Sequence, residues 1–421
     1  MTFDWNSLVS YCPILTSTIA KQSMILYASQ LALACLGLMI NIVNTRSLGA
    51  FNFGVYSFCL SVLGFTVLFF EFGLFSAGSR LIALCKNEKN TREYIGALLL
   101  LSAGVGVLYS LFIFSISFFI DGFFNTNVGW ILRVLSPILL IYPFQSSISQ
   151  ICQGKNSIKE LSVYTILPSL LYLLSLFFVI IWYKLTPTLS LVLSFLSLVI
   201  SSLFLIRRLK PLCSSLKGNV RTIFEETKTY GFYVYTSRLM GLSTLYLDKI
   251  LLSYFINTTS AGFYYLANVM TFPIRQFPTS LATSSFKKFT DVNEIPKRVF
   301  LYTILWLTVS CLLLLYLAEP IIMVFFSDNY MPVVPLVFPL TLGAFFNGML
   351  QPYNFFLSAK GKGQYLRNIA LLHTITSLAG YLLFIPRYGP FGAAYVNLIT
   401  LMINYSAHFY YYNKTICRNC N

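Results

Sequence analysis

Charged side chains within long apolar stretches are the first candidates for chemistry in this sequence, because a charge is costly to bury there. Arg238 and Lys249 stand eleven residues apart in one stretch. Eleven residues are close to three helical turns, so both cations fall on one helix face, about 16 Å apart along the axis. If that face points inward, they form a ladder for an anionic ligand. In the competing interpretation, Lys249 reaches a membrane interface and Arg238 stays near the other helix end or pairs with a carbonyl.

Arg275 lies between two prolines, Pro273 and Pro278, in a further apolar stretch. Prolines five residues apart free backbone carbonyls and break a helix, which a membrane tolerates only against protein or a wet cavity. A guanidinium at such a break has the right shape for bidentate contact with a phosphate. We therefore expect Arg275 to face a cavity. The competing interpretation is a kinked helix end whose arginine reaches lipid headgroups.

Two acidic residues complete the set of candidates. Glu71 is the one acid in the apolar interior of the first half of the chain. It is a candidate for a protonatable coupling group or for the counter-ion of an arginine, and a structural ion pair is the competing interpretation. Asp248, next to Lys249, is a second coupling or counter-ion candidate, and a turn anchor is its alternative.

The elements that position these residues follow from the composition. Of the 421 residues, 57% are hydrophobic and only 10% are charged, and the mean hydropathy is +0.73. A soluble chain carries about 25% charged residues because its surface faces water. This chain is therefore predicted to be an integral membrane protein, which excludes disordered, collagen-like, disulfide-rich and ordinary soluble enzyme classes.

Twelve apolar segments have the length of about 20 residues that crosses a bilayer as a helix. The predicted fold is all-α, a polytopic membrane protein with twelve transmembrane helices, here called spans 1 to 12, in two six-helix bundles. The centres of the spans lie near Ala34, Leu63, Val107, Leu140, Leu173, Val199, Leu245, Met270, Leu313, Ala344, Ala379 and Leu401.

The lysines and arginines distinguish two faces of the predicted protein. Of the 29, 22 lie before span 1, near the loops after even-numbered spans or in the C-terminal tail, which together form the basic face. The loops after odd-numbered spans form the charge-poor face and hold only Arg46, Lys184 and Arg387. Short cytoplasmic loops collect Lys and Arg, so both termini are expected in the cytoplasm. The net charge of +16 then reflects topology, and no nucleic-acid partner is expected.

Three matches at nearly one spacing indicate an internal repeat. They pair Gly54-Val55-Tyr56 with Gly262-Phe263-Tyr264, Gln153-Gly154-Lys155 with Lys360-Gly361-Lys362, and Arg80 with Lys288, at offsets of 207 or 208 residues. The longest polar stretch, 207–228, separates the repeats, so we expect bundles over residues 1–210 and 211–421. Because six is even, both bundles start on one face, as in transporters whose halves rock around a central site.

Several short motifs, in this order, are similar to those of a known family. They are Arg46-Ser47-Leu48-Gly49 with Phe53-Gly54-Val55-Tyr56, Glu71-Phe72-Gly73-Leu74, Asp248-Lys249-Ile250 with Ser260-Ala261-Gly262-Phe263-Tyr264, and Ile385-Pro386-Arg387-Tyr388-Gly389 with Gly392-Ala393-Ala394. The set resembles the polysaccharide transporter family, in particular Wzx-type O-antigen flippases, within the multidrug/oligosaccharidyl-lipid/polysaccharide flippase superfamily. The resemblance covers nearly the whole chain.

The resemblance implies a flippase that turns an oligosaccharide, linked by pyrophosphate to a polyprenol, from the inner to the outer leaflet of a bacterial inner membrane. Such a headgroup cannot cross hydrocarbon unaided, since each unsatisfied polar group costs several kcal/mol there. The expected partners are this lipid-linked substrate, membrane lipids and the polysaccharide polymerase machinery. The expected substrate-binding residues are Arg275, Arg238, Lys249 and Arg46, the last because it lies in the first family motif.

Two other functions remain as alternatives at this stage. A multidrug or small-solute antiporter shares the architecture, but cationic rather than acidic charges in the spans argue against it. A membrane enzyme such as a polymerase or ligase would need a large outer loop, and every predicted outer loop is short. The chain has no G-x-x-x-x-G-K-[ST] motif that would cradle ATP, and Cys417 and Cys420 lack the second pair of a zinc site, so no enzyme activity, cofactor or metal is predicted.

Overall fold

A computed structural model describes residues 18–124 and 126–419, all folded into helices joined by short loops. Within these ranges, side chains are described at all positions except 18–24, 26, 27, 233, 237, 238, 240–245, 284, 286–288, 290, 291 and 417–419.

The helices account for twelve crossings. Over the described residues, seven helices are long and apolar enough to span a membrane, and the pair Gly129–Leu135 and Ile138–Gly154, bent by 62°, makes an eighth. Two of the seven contain a break, at Gly49 and at Gly389, and therefore supply two crossings each. Phe232–Phe255 and Thr258–Asp291, of 24 and 34 residues, reach the spanning length as well. The all-α, twelve-span prediction is confirmed.

The bounds of the spans are as follows. The first half consists of Thr18–Leu68 (spans 1 and 2, the latter continued by Leu74–Leu84), Glu88–Ile116 (span 3), Gly129–Leu135 with Ile138–Ile141 and Tyr142–Gly154 (span 4), Ile158–Trp182 (span 5) and Pro187–Leu209 (span 6). The second half consists of Phe232–Phe255 (span 7), Thr258–Asp291 (span 8), Lys297–Ile321 (span 9), Val334–Ala359 (span 10) and Gly363–Asn419 (spans 11 and 12). The short helices Ile120–Phe124, Leu216–Glu226, Thr227–Gly231, Ile322–Phe326 and Asp328–Val333 connect them.

The two breaks inside long helices are glycines with positive φ. Gly49 has φ 75° and ψ 169°, and Gly389 has φ 56° and ψ −135°. Only glycine adopts such angles without a Cβ clash. Each break therefore lies where the chain passes from one span to the next on the charge-poor face, and both glycines belong to the family-like motifs.

The buried apolar side chains form three cores, and a cavity lies outside them. The largest core runs through spans 1 to 6 and continues through residues such as Leu252, Leu266 and Ile385 of the second half. Two smaller cores join spans 8, 9, 10 and 12, around Phe356 and around Leu307. The region between span 1 and spans 7, 8, 10, 11 and 12 instead holds a cavity that is lined by both apolar and polar side chains.

The segment between the halves packs against the first half. Arg92 Nε donates to the carbonyl of Lys210 at 2.7 Å, and the Leu212 amide donates to the carbonyl of Arg92 at 3.0 Å. Arg80 pairs with Glu226 at 2.6 Å. The expected boundary between residues 210 and 211 falls within this docked segment, and the division into two bundles stays a prediction.

Candidate functional site

The candidate site is a cavity of about 370 Å³ that is enclosed by one span of the first half and five of the second. Leu33, Ala34, Gly37, Leu38 and Asn41 of span 1 form one wall. The other walls carry charged and polar side chains, namely Asp248, Lys249, Tyr265, Asn268, Arg275, Asn347, His373, Ser377, Tyr381, Asn397 and Thr400. Charged and polar side chains between membrane-crossing helices are costly unless polar ligands or water contact them.

Arg275 is a cation of this cavity whose Nε has no described hydrogen-bond partner. That atom is buried, and no described residue bonds to it. The guanidinium carbon lies 5.9 Å from the centroid of the Phe272 ring, a cation–π distance. Pro273 and Pro278 lie within the same helix. A guanidinium whose hydrogen bonds are incompletely satisfied offers strong hydrogen bonds to an anionic ligand.

Asp248 and Lys249 form an ion pair on the cavity wall. The Lys249 Nζ lies 3.1 Å from Asp248 Oδ1, and the side chains are only 12% and 7% exposed. The same carboxylate oxygen accepts the backbone N–H of Lys249 at 2.8 Å. Because the two charges compensate each other, Arg275 supplies the excess positive charge among the described charged residues of the cavity.

Two of the amide side chains that line the cavity, those of Asn41 and Asn268, donate to carbonyls of their own helices. Asn41 Nδ2 donates to the carbonyl of Gly37 at 2.7 Å, and Asn268 Nδ2 donates to that of Tyr264 at 3.2 Å. Each bond joins residues four apart and fixes the amide plane. Amides in fixed orientations present donors and acceptors of the kind that sugar hydroxyls require.

Sequence reasoning missed the contribution of spans 11 and 12. His373, Ser377 and Tyr381 line the cavity and are spaced four residues apart, so they share one helix face. Taken singly, His373 is interpreted from sequence as a packing residue. The available signal was the regular spacing of polar residues in an otherwise apolar span. Span 12 has a similar pair, Asn397 and Thr400, three residues apart.

The structure places the remaining candidates elsewhere. The Arg46 guanidinium donates from Nε to the carbonyl of Phe325 at 2.8 Å and from Nη2 to the carbonyl of Val324, on the charge-poor face. Glu71 is buried in the break between the two helical parts of span 2. Neither is among the residues that line the cavity. The Arg238 side chain lies outside the described residues, so the cation ladder stays a prediction.

Metal-binding groups are not clustered in the part of the chain that the structure describes, where no three His, Cys, Asp or Glu side chains come together. The side chain of Cys417 and the whole of Cys420 lie outside that part.

Twelve crossing helices, six of which enclose a cavity, form a fold that similar solved structures share. An inward-facing multidrug resistance MATE family transporter of the MOP superfamily superposes with a TM-score of 0.73 at 13% identity, over 91% of this chain and 95% of that one. The lipid II flippase MurJ, in an inward closed conformation, superposes with a TM-score of 0.70 at 14% identity, over 94% and 89%. An outward-facing MATE transporter has a TM-score of 0.62 at 14% identity, over 95% of each chain.

Sequence comparison then identifies the family. The model of the family described as polysaccharide biosynthesis protein matches residues 19–287, more than half of the chain. An uncharacterised membrane protein of Methanocaldococcus jannaschii is 23% identical over 413 residues, which cover 90% of this chain and 80% of that protein. The chain belongs to the polysaccharide biosynthesis protein family, as its motifs predict.

Proposed function

We propose that this protein is a flippase for polyprenyl-pyrophosphate-linked oligosaccharides of the O-antigen repeat-unit type. It carries the headgroup from the inner to the outer leaflet of a bacterial inner membrane by alternating access, while the prenyl tail stays in lipid. The bundles of residues 1–210 and 211–421 rock against each other, and both termini lie in the cytoplasm. The membership of the chain in the polysaccharide biosynthesis family supports the substrate class.

The observation that carries this proposal is the buried Nε of Arg275, without a described partner, on the wall of a polar cavity. A pyrophosphate would offer acceptors to the part of the Arg275 guanidinium that lines the cavity, and the amides of Asn41, Asn268 and Asn347 would serve sugar hydroxyls. The cavity thus replaces the water that a headgroup loses on entering the membrane. A charge-assisted bond to a guanidinium is about twice as strong as a neutral one, so Arg275 would position the pyrophosphate.

The same geometry argues against the antiporter alternative. An exporter of organic cations needs an acidic group that is free to attract them. The one described carboxylate on the cavity wall, that of Asp248, is already paired with Lys249 at 3.1 Å. The remaining excess charge comes from Arg275 and is positive, which favours anionic headgroups over amphipathic cations.

The test follows labelled lipid-linked repeat units in cells that lack the protein. The units are expected to accumulate in the inner leaflet, and wild-type protein, but not Arg275→Ala, is expected to restore delivery. Losing a charged hydrogen bond of about 2.7 kcal/mol lowers delivery about a hundredfold. The proposal is overturned if delivery is normal without the protein in a strain that has no other flippase, or if Arg275→Ala transports at the wild-type rate.

Arg133 provides a matched control, because its guanidinium has the same kind of surroundings as that of Arg275 but lies elsewhere. Its Nε is also buried without a described partner, and its guanidinium carbon lies 4.7 Å from the Phe118 ring centroid. It does not line the cavity. Arg133→Ala should leave delivery per folded molecule unchanged, so an equal loss in both variants would point to folding rather than to substrate contact.

A further inference from the structure

Contacts between the two halves close the charge-poor face beside Arg46. Arg46 lies at the end of span 1, before the break at Gly49, and its guanidinium bonds to the carbonyls of Val324 and Phe325 in the turn that follows span 9. Within the same contact, the Tyr330 hydroxyl donates to the carbonyl of Thr45 at 3.1 Å. The turn Ile322–Phe326 is a π-helix, so it ends span 9 with carbonyls that Arg46 can reach. We call this contact the arginine clasp.

A second contact is related to the arginine clasp by the internal repeat. Tyr254, 208 residues after Arg46, lies at the corresponding end of span 7. Its ring packs edge-on against Phe124, in the loop after span 3, with the centroids 5.7 Å apart. The clasp thus has an apolar counterpart, the aromatic contact, on the other side of the same face.

Between the two contacts, the repeat brings equivalent glycines together. A Cβ added to Gly262 would lie 2.9 Å from the Cα of Gly54, and one added to Gly54 would lie 2.5 Å from the carbonyl oxygen of Thr258. Spans 2 and 8 therefore touch backbone to backbone at the start of both. The fully buried Phe53 ring lies 6.1 Å from the Tyr330 ring centroid and joins this contact to the clasp.

We infer that Arg46 is a positioning residue that holds the charge-poor face closed through the arginine clasp, and that it does not contact the substrate. All three contacts must separate for the cavity to open on this face. The arginine clasp is the polar one among them, and its guanidinium is exposed to solvent, so water can replace its hydrogen bonds as the face opens. The aromatic and glycine contacts have no such exchange of partners. This inference concerns the conformation alone and holds whatever headgroup is carried.

Hydrogen–deuterium exchange of the purified full-length protein, without substrate, tests the clasp. In Arg46→Ala, we expect amides of 45–52 and 322–330 to exchange about tenfold faster, because a charged hydrogen bond that keeps the face closed is lost. Exchange should also rise in 117–124 and 252–257, at the aromatic contact, which Arg46 does not touch. Arg46→Lys keeps the charge but not the planar fork and should give an intermediate rise.

Arg387→Ala is the matched control, since Arg387 is exposed on the same face and should leave all four segments unchanged. Unchanged exchange in Arg46→Ala, or a rise confined to 45–52 and 322–330, would overturn the inference, because the residue would then act only locally. Unchanged exchange in span 5 excludes general unfolding. The flippase proposal is judged separately by delivery of labelled units, so each idea can fail without the other.

Discussion

Two buried polar regions of this protein differ in how their hydrogen bonds are used. In the first half, Asn44, Tyr56, Tyr172 and Ser190 form a closed network, which we call the tyrosine network. The Tyr172 hydroxyl lies 3.0 Å from Asn44 Nδ2, 2.6 Å from Ser190 Oγ and 3.4 Å from the Tyr56 hydroxyl. Ser190 Oγ donates to Asn44 Oδ1 at 2.8 Å. These groups satisfy one another, and each of the four residues is at most 5% exposed.

The cavity is lined by similar residue types, but there the described lining residues do not satisfy all of one another's hydrogen bonds. Its amides and hydroxyls surround open space, and Arg275 Nε has no partner among the described residues. Polar residues within spans join helices when they bond to one another. They form a candidate site when the helices keep them apart. Composition alone cannot separate these cases, because both regions use Asn, Ser and Tyr.

Breaking the ion pair of the cavity should have the largest effect. Lys249→Met leaves the buried Asp248 carboxylate without its cation, which should lower the free energy of unfolding by about 3 kcal/mol. Thermal unfolding in detergent measures this loss. The double variant Asp248→Asn/Lys249→Met removes both charges and should be more stable than Lys249→Met. If the double variant is less stable than the wild type by the sum of the effects of Asp248→Asn and Lys249→Met, the two residues are not coupled.

Opening the tyrosine network should have a smaller effect and leave transport intact. Tyr172→Phe deprives Asn44 Nδ2 and Ser190 Oγ of a partner, which should cost about 1.5 kcal/mol of stability. Transport per folded molecule is expected to stay at the wild-type level, because none of the four residues of the network lines the cavity. Tyr183→Phe, at a 70% exposed tyrosine of the same half, is the control and should change neither quantity. Loss of transport in Tyr172→Phe would remove the distinction between the two regions.

Binding of an anion in the cavity should change the free energy of unfolding the least. Inorganic pyrophosphate at ten times its dissociation constant should stabilise the wild type by about 1.4 kcal/mol, an increase in the midpoint of thermal unfolding of about 2 °C. The increase should vanish in Arg275→Ala and persist in Tyr172→Phe. A shift of equal size in wild type and Arg275→Ala would show that the anion binds elsewhere.

The candidate site was predictable only in part. Arg275 could be singled out because a charge between two prolines is costly in a span, and Asp248 and Lys249 because of their depth in span 7. Their common cavity, and the pairing of Lys249 with its neighbour, depend on how spans 1, 8, 11 and 12 pack. His373 and Tyr381 carry no charge signal against an apolar background, so only their spacing hinted at a shared face.

The crossing helices, the two faces and the family could be predicted from the amino-acid sequence. Helix length, apolar content and loop charge are local properties, and they set the insertion and orientation of each segment in a bilayer. Which charges share a cavity depends instead on how the spans pack against one another. Arg46 shows the reason, since its partners lie 278 and 279 residues away. No local rule can anticipate that the turn after span 9 offers its carbonyls to the end of span 1.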